Sequence, residues 1–513
     1  MGDTQASARH AGAMVAATVT VAGLNYGLNI LLGWALPLSA YGQVGVIQTI
    51  LFLGTWLLGA GLPGVVSRAI AQARGGEASG AAAGREVWQT VKTAWLANSA
   101  LAGIVVAAFA GSYLAGWLPL GADYAPLIAP AALTIGALGI SAVPDAAMQG
   151  LFRFGTVARW RVLEAVTNLA LSAALLALGF GAAGALGGFA AAAVLALALN
   201  VWSLRDTHLW HVPGWVRLRS LGLAGPLAVA AAGSVLLTNL DVLAIKALTG
   251  AATADALVGT YSVAAVLARA PLFVSQALVA TYYPRVAQEP TGPAAGELRR
   301  WLALSVLPMN VILLAAAPAV VAFFFPPRFA GAATPLAVLA LSSAALAWAG
   351  GEAAIAQARG RAAWPARILA LAVVAQVAAL ALLVPAVGLV GASLASAGAT
   401  LLAAGGLALV AGRIVWPELR PVRLTVVLAA LALLLVPLGL LGDTAGRGLT
   451  AVWIAMAAAA YVMACLLLNL VHVPPEGASR GTSPGGLGSV VDPLLDGARL
   501  LNRIGSRFGA AAP

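Results

Sequence analysis

Five ionisable residues stand inside otherwise apolar stretches of this 513-residue chain: Asp145, Glu164, Asp241, Arg269 and Glu352. An ionised group in hydrocarbon costs about 2.5–3.5 kcal/mol on insertion scales, so such residues face a protein interior or a cavity. Arg269 offers a guanidinium, whose paired N–H donors match the oxygens of a phosphate. It equally suits an ion pair with Asp241, one helix away. In that case the arginine is released in only one conformation, and a ligand that binds it biases a two-state equilibrium. Asp145 and Glu352 suit a coupling proton or Na⁺, or else pair with the arginines one or two turns below them. Arg68 closes an apolar run, where it either meets an anionic head group or anchors the helix. Asn25, Asn29 and Asn239 suit sugar hydroxyls, or hold helices together as polar side chains do in membranes. Glu164 lies near a basic loop and reads as structural.

Enzyme chemistry has few candidates. The histidines, His10, His208, His211 and His472, all fall near loops or ends, and His208 and His211 lack the acidic or cysteine companions of a metal site. No glycine-rich loop runs into Lys-Ser/Thr, so there is no P-loop for ATP. Cys465 is the one cysteine, which excludes an internal disulfide. The expectation is a chain that is not an enzyme, with no cofactor or metal beyond a coupling Na⁺ or H⁺.

The elements that carry these residues are set by composition. Apolar residues make up 61% of the chain and charged residues 9%, and the mean hydropathy is +0.95. A soluble domain averages about 45–50% apolar and about 25% charged, and no soluble fold could hide the excess. A membrane helix needs roughly 20 apolar residues. Such runs fall near 11–36, 43–66, 90–116, 125–149, 161–180, 183–204, 222–248, 257–283, 301–325, 331–357, 367–385, 388–411, 423–441 and 449–472. The first is too long for a signal peptide and reads as a retained helix.

The net charge of +11 is topological rather than a sign of nucleic acid. With the N-terminus inside, the inner segments hold Arg68, Arg85, Lys92, Arg153, Arg159, Arg161, Arg205, Arg285, Arg299, Arg300, Arg359, Arg361, Arg367 and Arg423 among others, whereas Lys246, Arg328 and Arg447 remain outside. These cations face the anionic lipids of the inner leaflet. The expectation is an all-α polytopic protein of the cytoplasmic membrane, with about fourteen helices and both termini cytoplasmic.

A repeat divides the chain. Gln149, Arg153 and Arg159 recur as Gln357, Arg361 and Arg367 at a constant offset of 208, with Asp145 and Glu352 preceding them. Tyr41-Gly42 opens one run and Gly259-Thr260-Tyr261 another, with Arg68 and Arg285 closing them. This pattern predicts two pseudo-symmetric six-helix lobes in the same orientation, residues 1–205 and 222–412, joined by a cytoplasmic loop at 206–221. Two further helices occupy 413–473. Residues 474–513 read as a linker followed by either a basic amphipathic helix from Asp492 or a disordered tail.

Two stretches carry a family likeness. One runs from Asn25-Tyr26 through Leu36-Pro37-Leu38-Ser39-Ala40-Tyr41-Gly42 to Gly61-Leu62-Pro63 and Arg68. The other is Asn239-Leu240-Asp241-Val242-Leu243, then Val258-Gly259-Thr260-Tyr261-Ser262-Val263-Ala264 and Tyr283-Pro284-Arg285. In these the chain, over roughly residues 11–470, resembles polysaccharide flippases of the multidrug/oligosaccharidyl-lipid/polysaccharide exporter superfamily. The resemblance implies alternating access of two lobes around a central cavity, without ATP. It also implies translocation of an undecaprenyl-pyrophosphate-linked oligosaccharide for cell-surface polysaccharide assembly, with a polymerase and a chain-length regulator as partners. The family often has a basic residue about five positions after the tyrosine of its eighth helix. Here Val266 stands there, and the arginine comes at Arg269. The competing expectation is a cation-coupled multidrug exporter of the same superfamily, whose acidic, aromatic cavities suit cationic cargo. Arg269 argues for an anionic one. A membrane polymerase or ligase would need a large polar loop, which this chain lacks, and a non-transporting scaffold is a further alternative.

Overall fold

With no water in a bilayer core to bond N–H and C=O groups, a long apolar chain closes its hydrogen bonds within helices. The computed structural model describes residues 2–59, 61–74, 81–207, 212–215, 225–289, 292–411, 421–468 and 470; for residues 2–16, among others, the description is of the backbone alone. His208, His211, His472, Arg217, Arg219, Arg413, Arg420, the tail at 474–513, and the side chains of Arg9 and His10 lie outside it.

The helices are α1 Gly2–Ala35, α2 Leu38–Gly59, α3 Leu62–Arg74, α4 Ala81–Leu114, α5 Ala125–Gly150, α6 Phe154–Ala177, α7 Gly181–Trp202, α8 Gly225–Leu237, α9 Leu240–Leu248, α10 Ala251–Ala268, α11 Ala270–Gln288, α12 Ala294–Ala315, α13 Ala317–Phe324, α14 Ala333–Ala358, α15 Ala363–Val410, α16 Pro421–Leu441 and α17 Arg447–Leu467. Among the described residues, eleven helices are long and apolar enough to cross a membrane, and twelve if the bent pair α8–α9 is one span. The 48 residues of α15 would reach about 72 Å as one straight helix, more than twice the roughly 30 Å of hydrocarbon. It breaks at Gly388 (φ 62°), just after Pro385. Dividing α15 there and adding α1 brings the total to about fourteen. The protein is therefore a polytopic helical membrane protein. Large side chains point outward along these helices, such as Leu382 and Leu433, both 73% exposed, as a lipid-facing surface requires.

Two compact units result. One comprises His10–Val266 and Ala362–Ala399, the other Leu267–Arg361 and the chain from Thr400 onward. In the first, α5, α6 and α7 pack most closely. Gly188 of α7 lies on Ser172 of α6, which donates to the Ala185 carbonyl at 3.0 Å. Small residues let membrane helices approach in this way. In the same unit Gly42 and Gly259 meet reciprocally: a Cβ on Gly42 would strike the Asp255 carbonyl, and one on Gly259 the Leu38 carbonyl. The second unit packs α11, α12 and α14 around Leu298, Leu302 and Ile355. There α16 and α17 cover α12, with Gly439 against the Ala315 carbonyl and the Tyr461 hydroxyl donating to Leu304 O at 2.9 Å.

The 208-residue repeat is built into the backbone. Helices α5 and α14 are both 26 residues long, and their starts (125, 333) and ends (150, 358) keep the same offset. The turns that follow share one hydrogen-bond pattern. Arg153 N–H donates to Met148 O and Phe152 N–H to Gln149 O; Arg361 N–H donates to Ala356 O and Gly360 N–H to Gln357 O, all at 2.9–3.0 Å. In each turn a left-handed residue, Phe152 (φ 59°) or Gly360 (φ 75°), closes the helix. Each arginine then reaches a carbonyl at the end of a later helix, Ser203 (2.7 Å) for Arg153 and Val410 (3.2 Å) for Arg361. Arg153 also grips Asp206 through both terminal nitrogens, and that bond holds the Asp206 carboxyl below the usual carboxylate range.

Candidate functional site

The break between α8 and α9 bends the chain by 51°. Asn239 sits at that break, where its amide donates to Val235 O (2.8 Å) and the Thr238 hydroxyl (2.9 Å), closing off the end of α8. Two residues on, Asp241 is 3% exposed. Its Oδ2 accepts from the Tyr261 hydroxyl at 2.6 Å and the Ser396 hydroxyl at 3.1 Å, and its Oδ1 accepts from Val242 N–H at 2.9 Å. The fully buried Gln376 donates to Ser396 Oγ and to Leu237 O, both at 3.1 Å, and its own Oε1 has no hydrogen-bond partner. A broken helix end, a carboxylate, hydroxyls and a spare amide oxygen are hard oxygen donors gathered inside an apolar unit. The sequence marked Tyr261 as part of a helix opening and of the family-like stretch but not as a site residue, and it singled out neither Ser396 nor Gln376. Gln376 is an isolated polar side chain in the strongly apolar α15, and Ser396 stands at helical spacing with Ser393 and Thr400, signals that could have flagged them.

A second polar group occupies the same unit. Lys246, counted by sequence as an outer-loop cation, ends α9 buried, with its ammonium 2.6 Å from Asp255 Oδ1 and 4.8 Å from the centre of the Tyr124 ring. The Tyr124 hydroxyl donates to the same carboxylate oxygen at 2.5 Å. A cation suits the C-terminal end of a helix, and ring and carboxylate together compensate its burial.

Arg269 occupies the single-residue joint between α10 and α11, where Pro271 lacks the N–H needed to carry the helix through. It is half-buried. One turn earlier, the Val266 carbonyl accepts from the Tyr26 hydroxyl of α1 at 2.8 Å. Arg269 and Asp241 belong to different compact units. Arg68 lies exposed on α3, and Asn25 lies exposed on α1 with its carbonyl accepting from the Asn29 amide at 2.8 Å.

The paired acidic residues differ in their surroundings. Glu352 is 1% exposed and joined by both oxygens to Arg299 of α12 at 2.7 Å. The arginines after its own helix turn elsewhere, Arg359 to Ala411 O and Arg361 to Val410 O. Asp145 meets Arg161 of α6 at 2.8 Å and Gln149 at 2.9 Å, both through Oδ2. Asp145 and Arg161 line a cleft between α5, α6 and α7 together with Glu164, Trp160, Ser141 and Asn200.

A family model described as "polysaccharide biosynthesis protein" matches residues 7–289, more than half of the chain. A comparison with curated proteins gives no match. Among solved structures, the lipid II flippase MurJ in an inward closed conformation superposes with a TM-score of 0.66, at 13% identity over 88% of this chain and 97% of that one. An inward-facing multidrug resistance MATE family transporter of the MOP superfamily gives 0.58, at 16% identity over 79% and 98%. A MOP superfamily transporter from Pyrococcus furiosus gives 0.55, at 15% identity over 79% and 95%. At these identities the likeness is one of fold.

Proposed function

The chain belongs to the polysaccharide biosynthesis protein family and has the fold of MOP-superfamily flippases and transporters, and from that premise we propose that it translocates a polyprenyl-pyrophosphate-linked oligosaccharide across the cytoplasmic membrane. Two lobes, residues 1–205 and 222–412, alternate access to the two leaflets. Both termini lie in the cytoplasm, and a polysaccharide polymerase and a chain-length regulator take up the product.

The observation that carries this reading is Arg269 at a proline-broken joint inside a long apolar span. A guanidinium there matches a pyrophosphate with paired hydrogen bonds, whereas a cationic drug would be repelled. The joint lets the two half-helices turn independently. Arg68, Asn25 and Asn239 serve as further substrate contacts in this scheme, and Asp241 is the favoured coupling residue. Its hydroxyl partners and the spare Gln376 oxygen suit H⁺ or Na⁺. Asp145 and Glu352 complete the coupling candidates, although the two hydrogen bonds that Arg299 donates to Glu352 leave it less available.

The test is complementation of a strain lacking its own flippase, together with flipping of a fluorescent pyrophosphate-linked lipid in vesicles. Arg269→Ala should abolish both while membrane expression stays normal, and Arg269→Lys should keep a reduced rate. Wild-type flipping by Arg269→Ala, or transport of cationic drugs without flipping, would overturn the reading.

A further inference from the structure

Where α13 and the 3₁₀ turn after it meet the joint between α16 and α17, the second unit holds a cleft of about 280 Å³. Prolines make much of its wall. Pro318 stands in the first turn of α13, and Pro326 and Pro327 lead into the 3₁₀ turn Pro327–Ala332. The joint contributes Gly442 and Gly446, whose φ values of 56° and 66° steer the chain into α17. Ring-locked and left-handed backbone cannot slide inward to fill a gap as a flexible side chain can. Packed proteins leave few voids larger than a water molecule, so a cleft of this size behind fixed walls suits an occupant. The lining is mostly apolar, with Phe323 and Phe325 part of it, and that disfavours water alone.

Charge narrows the occupant. The segments that form the cleft, 316–332 and 438–452, carry Arg328 and Arg447 against Asp443, two cations and one carboxylate for a net charge of +1. Arg447 lines the cleft from the first turn of α17. Arg328 shares the 3₁₀ turn with the lining residues Pro327 and Ala330, its guanidinium 5.3 Å from the centre of the Phe329 ring. The cleft lies at the ends of membrane-length helices, the level of lipid head groups. A guanidinium there matches phosphate oxygens with paired hydrogen bonds. An aliphatic face adjoins it: Leu449, Val452 and Met456 recur at helical spacing on α17 and are exposed, and Leu440 is 83% exposed. One excess positive charge beside an aliphatic face complements a single phosphodiester with acyl chains. A zwitterionic head group brings its own ammonium and leaves the +1 unmatched.

We infer that this cleft binds one resident anionic glycerophospholipid of the phosphatidylglycerol type. The glycerophosphate sits between the prolines and the start of α17, Arg447 and Arg328 meet the phosphate, and the acyl chains follow Leu440 and the exposed face of α17. The lipid fills the gap between α13 and the α16–α17 joint and so steadies that helix pair on the rest of its unit. The inference concerns neither the cargo nor the leaflet that the cleft faces, so it stands or falls apart from the flippase reading.

The experiment uses the full-length protein in vesicles that contain photo-crosslinking phosphatidylglycerol, phosphatidylethanolamine or a polyprenyl phosphate at equal concentration. Crosslinks in 316–332 and 438–452 are counted relative to those around the exposed Leu382 of α15, which report ordinary surrounding lipid. Phosphatidylglycerol should be enriched in the cleft segments several-fold over phosphatidylethanolamine. Arg328→Gln combined with Arg447→Gln should bring it down to the phosphatidylethanolamine level. Ala330→Trp, which fills the cleft and keeps both cations, should remove the enrichment as well. Folding is checked by the temperature at which the buried thiol of Cys465 becomes reactive. Equal ratios for the two phospholipids in the wild type overturn the site. Unchanged enrichment in either folded variant does so too, since the lipid then lies outside the cleft or ignores its charge. Stronger enrichment of the polyprenyl phosphate than of phosphatidylglycerol overturns the phospholipid as occupant. Should the variants fail to fold, the wild-type comparison of the three lipids decides.

Discussion

Glu352 and Arg299 show how one side chain can dominate its surroundings. Each is nearly inaccessible, and each is the other's counter-charge. Removing one partner strands the other's charge, a loss of about 3–5 kcal/mol for a buried pair, whereas replacing both with apolar residues is often neutral. Glu352→Gln should therefore lower Tm strongly, and the double substitution Arg299→Met with Glu352→Leu should restore most of it. Thiol exposure of Cys465 on heating reports both. A double variant no better than the single one would show that the pair does more than neutralise itself. From the sequence Glu352 stood out because it was acidic within an apolar run. Its partner did not: Arg299 was counted as a loop cation, and only the packing of α12 on α14 turns it inward.

At the scale of elements, breaks and close crossings matter more than helix length. The interruptions at Asn239, Arg269 and Gly388 fall where asparagine, a following proline and a left-handed glycine weaken the helix. The crossing of α2 and α10 depends on two glycines that meet backbone to backbone. Gly42→Ala and Gly259→Ala should each cost roughly 1–3 kcal/mol through overpacking, read as a lower Tm. Gly27→Ala, with open space around it, should leave Tm unchanged. Equal Tm in all three would mean that the crossing tolerates separation. The sequence placed Gly42 and Gly259 in corresponding openings of two helices. It did not place them against each other, since that contact spans more than two hundred residues.

For the whole molecule, the orientation proposed from the basic loops is open to direct labelling. In a Cys465→Ser background, Glu86→Cys and Glu289→Cys should resist a membrane-impermeant maleimide in intact cells, and Asp123→Cys and Thr444→Cys should react. The reverse pattern would invert the protein, and a switch partway along would move the count by one helix. The membrane class, the helical fold and the 208-residue repeat were legible in the sequence alone. Apolar runs and the spacing of charges are local quantities, and lipid leaves a chain of this composition few other ways to satisfy its backbone. The repeat then reappears as two 26-residue helices with matching turns. What surrounds each charged residue was decided only by tertiary packing. Asp241 meets Tyr261 and Ser396, Lys246 meets Asp255 and Tyr124, and Asn200 leaves an oxygen bare beside Asp145 and Glu164. Those neighbours come from other segments of the chain, and single-chain spacing carries no record of which segments pack together.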